Sequence, residues 1–100
     1  MYAGIYGNRS AAEFLIDQGA NVNAKNKQGY TVLMFATAEG YEDIVDLLIK
    51  NEQIDACIRN NDNKTARDLS ENIIDLDKQS RIWNRLTAAM KKQKCTSYVN

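Results

Sequence analysis

The feature that most restricts how this chain can fold is that it repeats itself. The segment MYAGIYGNRSAAEFLID, from Met1, returns as MFATAEGYEDIVDLLIK, from Met34. Met1 aligns with Met34, Tyr2 with Phe35, Ala3 with Ala36 and Gly7 with Gly40, all at an offset of 33. Phe14, Leu15 and Ile16 align with Leu47, Leu48 and Ile49 in the same register. A third copy begins at KTARDLSEN, where Thr65 aligns with Thr31 at an offset of 34, so one residue is inserted, and NEQID is its expected place. A period of this length implies one small unit stacked on its neighbours, because such a unit cannot bury its apolar face alone.

Each copy has the same internal grammar. A short helix, expected over 31–38, ends at a glycine, and a second helix is expected over 42–50. In the latter, Ile44, Val45, Leu47, Leu48 and Ile49 form a wide apolar stripe, the pattern of a helix packed between neighbours. Thr31 and Thr65 stand where a hydroxyl can accept from an otherwise orphan amide at a helix start. Gly7 and Gly40 suit a turn of positive φ. Polar, Asn-rich segments at 20–30 and 53–64 join the copies and are expected as hairpin-like fingers.

The stretches LIDQGANVNAKNKQG, GYTVLMFA (G-x-T-x-L-x-x-A) and EGYEDIVDLLIK resemble ankyrin repeats over about residues 1–74. The resemblance implies an all-α solenoid of stacked helix pairs with short fingers and a C-terminal capping helix. It also implies a non-catalytic module that binds another protein. The family's T-P-L-H is T-V-L-M at Thr31–Met34 and T-A-R-D at Thr65–Asp68. The first change removes the preset φ of a proline at the first helical position. The resemblance implies that the lost histidine costs a tie between neighbouring repeats.

The expected organisation is a domain over 1–92, made of a truncated repeat 1–29, a repeat 30–63 and a capping repeat 64–92, followed by a flexible tail 93–100. The first copy enters inside its first helix and lacks its finger, as in a fragment or a cut-down first repeat. Met1, Tyr2, Ile5, Phe14 and Ile16 would then leave an apolar N-terminal edge open, through which a homodimer could form. In the third copy Ile74 replaces the turn glycine. Asp75 or Asp77 can start a helix to about Lys92, with Ile82, Trp83, Leu86 and Met90 expected as its buried face.

Charge is uneven along the chain. Up to Asp77 the chain holds seven basic and all thirteen acidic residues, a net of minus six, and Lys78 onward holds six basic residues and no acid. This is the pattern either of a polyanion-binding helix or of a basic helix docked on an acidic body. Few aromatics and no nucleic-acid motif accompany Arg81, Arg85, Lys91 and Lys92, so a solvated helix face is the expectation, not nucleic acid or membrane. Catalysis is not expected, and neither is a cofactor or metal. There is no histidine for a Ser-His or Cys-His pair and no phosphate-binding glycine loop. The acid pairs Glu42–Asp43 and Asp75–Asp77 are explained as helix starts. Cys57 and Cys95 lack metal-ligand spacing and are expected as reduced thiols in a cytoplasmic setting, with a disulfide as the alternative. No signal peptide or transmembrane run is visible. The Asn-, Ile- and Lys-rich usage suits a low-GC microbial genome, for which delivery into a host cell is an alternative to the cytoplasm.

Stacking consumes the apolar positions and leaves the finger tips and first-helix ends as a concave face. The positions that match the family's contact sites are Lys25, Lys27, Gln28 and Tyr30 on one finger, and Arg59, Asn61, Asp62 and Lys64 on the next. On the helix ends they are Ile5, Tyr6, Ala38, Glu39, Asn72 and Ile73. Tyr6 and Tyr30 are the expected anchors. Two alternatives remain open beside partner binding: a structural end of a longer array that self-associates through the N-terminal edge, and polyanion binding through the basic C-terminal helix.

Overall fold

A computed structural model describes Asp17 and residues 21–93 of the chain. Among these residues every regular element is helical: α1 (Val32–Glu39), α2 (Glu42–Lys50), α3 (Ala66–Leu69) and α4 (Leu76–Lys92). A 3-10 turn at Ser70–Asn72 extends α3. The helices form two pairs, α1 with α2 and α3 with α4, stacked so that α3 lies on α1 and α4 on α2. This is the all-α stack that the repeat predicts.

The local signals act as their chemistry requires. The Thr31 hydroxyl accepts from the Met34 amide at 3.3 Å and caps α1. Thr65 caps α3 in the same way, and the Asp68 carboxylate accepts in return from the Thr65 amide at 3.0 Å, completing a capping box. Gly40 ends α1 at φ 75°, a left-handed conformation without a Cβ penalty. At the equivalent turn of the last pair, Ile73 takes an extended conformation, and the Asp75 side chain accepts from the amides of Asp77 and Lys78 to start α4.

α1 is sandwiched and buried on most sides: Val32, Leu33, Met34, Ala36 and Thr37 are buried. Ile44, Val45 and Leu48 of α2 and Ile82, Leu86, Ala89 and Met90 of α4 complete one continuous core. Trp83, expected in that core, is 43% exposed. It lies on the outer side of α4, and the Arg67 guanidinium stacks over its ring at 5.2 Å. The reason is the helical period. Ile82, Leu86, Ala89 and Met90 already fill the strip facing the stack, and Trp83 falls on its far edge.

The two fingers are copies of one another in their hydrogen bonds. The Asn26 amide donates to the Tyr30 carbonyl, and the Asn60 amide to the Lys64 carbonyl, both at 2.9 Å. The Asn26 carboxamide oxygen accepts from the amides of Gln28 and Tyr30, and that of Asn60 from Asp62 and Lys64. Gly29 and Asn63 turn the tips at φ 78° and 63°. All these pairs share the offset that relates Thr31 to Thr65, which fits the single insertion expected at NEQID.

Candidate functional site

The fingers stand side by side and are laced together. The Asn61 amide donates to the Gln28 carbonyl at 3.0 Å, and its side-chain amide to the Lys27 carbonyl at 2.9 Å. At the finger base, Asn23 donates to the Gln53 carbonyl and accepts from the Asp55 amide, both at 2.8 Å. Close approach explains Gly29: a Cβ there would lie 2.7 Å from the Asn61 side-chain oxygen and 2.8 Å from its amide nitrogen. The lacing occupies main chain and asparagine side chains and leaves the tip side chains to solvent.

The contact residues read from the sequence divide as follows. Lys25, Lys27, Gln28, Asn61, Asp62 and Lys64 are exposed along the two adjacent tips. Arg59 is half-buried and donates to the Asn63 carbonyl at 2.9 Å, bracing its own tip. Tyr30 is half-buried and packs partly against the core, so it is wedge as well as surface. Glu39 and Asn72 are exposed at the helix ends and Ala38 is half-buried. Ile73 is a correction: it is 6% exposed, with its side chain turned toward Gly40 where the two inter-helix turns meet. Ile5 and Tyr6 lie outside the described residues, as does the whole N-terminal edge on which a homodimer would depend. Asn63, at the second tip, escapes the sequence reading. Its alignment with Gly29, at a position of positive φ, is the signal that finds it.

Electrostatics tie α4 to α2. Glu42, half-buried at the start of α2, accepts from Arg81 Nε at 2.8 Å and from Arg85. Arg85 also pairs with Asp46 at 3.0 Å. The Arg81 hydrogen bond is the largest influence on Glu42. With Arg85 it outweighs a burial that opposes ionisation, and the carboxyl is lowered to about 2. Glu42 is therefore more than a helix-start acid. The charge asymmetry resolves as a basic helix docked on an acidic neighbour, and a polyanion site on α4 would have to compete for Arg81 and Arg85.

The end of α4 is held to the second finger. Gln93 donates to the Ile54 carbonyl at 2.7 Å and accepts from the Ala56 amide at 2.8 Å. Cys57, next to this clamp, is disulfide-bonded, which corrects the expectation of two reduced thiols. The chain's other cysteine, Cys95, lies outside the described residues. Among the described residues no three His, Cys, Asp or Glu side chains gather as a metal site, and no helix is long and apolar enough to cross a membrane.

Stacked helix pairs with laced fingers define a helical repeat protein. The family model for ankyrin repeats, in three copies, matches residues 1–70, and the chain belongs to the ankyrin-repeat family. An ankyrin repeat-containing protein of Caenorhabditis elegans is 41% identical over 54 residues, 54% of this chain. The chain spans about 5% of that relative's length. Ankyrin repeats are generally protein–protein interaction modules.

Proposed function

We propose that this chain is a non-catalytic binding module whose finger tips and first-helix ends grip a partner protein. The observation that carries the reading is the division of labour in the fingers. Backbone and asparagine groups are spent on lacing the tips together, while Lys25, Lys27, Gln28, Asp62 and Lys64 project from a braced edge. A surface ordered before binding loses less entropy on association. With Lys25, Lys27, Arg59 and Lys64 set against Asp62, the tips favour a partner presenting acidic side chains. Glu39 and Asn72 extend the contact along the helix ends.

The test is affinity capture with the intact chain and a variant carrying Lys25→Glu, Lys27→Glu and Lys64→Glu, both checked for helicity. Proteins retained by the first and lost from the second are the expected result. Equal retention by both would place binding elsewhere and refute the tip surface.

A further inference from the structure

The three large apolar side chains most exposed among the described residues all belong to one stretch. Ile74 is 96% exposed, Leu76 71% and Trp83 43%. Leu76 and Trp83 are two helical turns apart on α4, hence on one stripe, and Ile74 stands at the turn leading into it. This edge is at the opposite end of the helix pair from the fingers, so the finger surface does not account for it. Apolar side chains clustered and open to water mark an interaction site more often than chance exposure does.

The surroundings state what kind of partner fits. A cleft of about 270 Å³ opens beside the stripe, lined by Ser70, Glu71, Gln79, Ser80, Trp83 and Asn84. It has an aromatic wall, one carboxylate and several neutral hydrogen-bonding groups. Glu71 lines it, Asp75 and Asp77 are exposed at the start of α4, and residues 70–77 contain no cation. The neighbouring cations are already engaged, Arg67 on the patch itself. Arg67 lies over Trp83 and donates to the Thr87 hydroxyl at 3.4 Å. Lys78 runs along Gly40. Arg81 feels Asp75 and Asp77 but gives its hydrogen bonds to Glu42. The patch is therefore apolar with an acidic rim.

We propose that this edge is a second docking surface, for a basic amphipathic segment of a partner protein. The segment lays apolar side chains on Ile74 and Leu76 and sends a lysine or arginine into the cleft between Glu71 and Trp83. The aliphatic stem of such a side chain packs on the tryptophan while its charged head meets the carboxylate. An acidic segment would meet the Glu71, Asp75 and Asp77 rim with like charge.

Trp83 is the chain's single tryptophan, so its fluorescence reports on this cleft alone. The probe is a short synthetic amphipathic peptide of leucine and lysine, with a leucine–glutamate peptide of the same pattern as control. A saturable blue shift of Trp83 emission is expected with the first and none with the second. The pair Glu71→Gln and Asp77→Asn, and separately Ile74→Ser, should each weaken binding by about tenfold, or 1.4 kcal/mol. These side chains are exposed, so helicity should be unchanged. Lys25→Glu at the finger tip should leave the titration unaltered, which separates this surface from the one proposed above. The proposal is overturned if no saturable shift occurs, if both peptides act alike, or if the Glu71, Asp77 and Ile74 variants bind as the parent does. A blue shift on raising protein concentration alone would assign the edge to a second copy and overturn it as well.

Discussion

Removing the Glu42 carboxylate should destabilise the stack in a way that depends on pH. The carboxyl is lowered from an ordinary value of 4.5 to about 2 by Arg81 and Arg85. At 1.36 kcal/mol per pKa unit, full linkage would make the ionised group worth roughly 3 kcal/mol at neutral pH. The Arg81 side chain is 50% exposed and that of Arg85 39%, so solvent screening brings the expected loss for Glu42→Gln to about 1–2 kcal/mol. Because the folded-state pKa lies below the unfolded one, this stability is present in full above about pH 5. It is lost as the pH falls through 4.5 toward 2. Urea denaturation of wild type and Glu42→Gln at several pH values is the assay. The gap between the two midpoints should be widest at pH 7 and shrink to less than half by pH 3. A gap of constant size would show that Glu42 matters through packing or helix capping, and would refute the ion-pair reasoning.

Gly29→Ala should cost about 2 kcal/mol in chemical denaturation, because it imposes a left-handed alanine and pushes a methyl group into Asn61. A loss no larger than that of an ordinary surface substitution, about 0.5 kcal/mol, would mean that the fingers are not closely stacked. Trp83→Ala should cost about 1–2 kcal/mol, well short of the roughly 3–5 typical of a buried large aromatic, and a calorimetric loss in the higher range would place the ring in the core. Thr65→Ala removes the capping box of α3 and should lower stability by about 1 kcal/mol, measured by thermal melting against Thr65→Ser as the conservative control. Asn61→Ala should unlace the tips, raising amide hydrogen exchange at Gly29 and nearby tip residues while leaving α4 protected; uniform exchange would show that the fingers do not open on their own.

What could be read from the chain itself is what depends on near neighbours in sequence. The threonine caps, the glycine turn at Gly40 and the finger turns at Asn26 and Asn60 are all closed by short-range bonds, and the repeat register is the recurrence of those local units. Their chemistry is the same in a fragment as in the whole. The apolar stripe of α2 is legible for the same reason. Three features were decided only by docking one pair on another. Glu42 and Arg81 are far apart in the chain, and nothing local distinguishes a helix-start acid from the hub of an ion cluster. The period of α4 places Trp83 near its apolar face, but which side of that boundary meets the stack depends on how the helix rolls against α2 and α3, and it rolls Trp83 outward. Ile73 and Ile74 look alike in sequence, yet the turn buries the first against Gly40 and leaves the second in water. A residue's own chemistry sets what it can do, and the relative placement of distant helices sets whether solvent, a neighbouring repeat or a partner meets it.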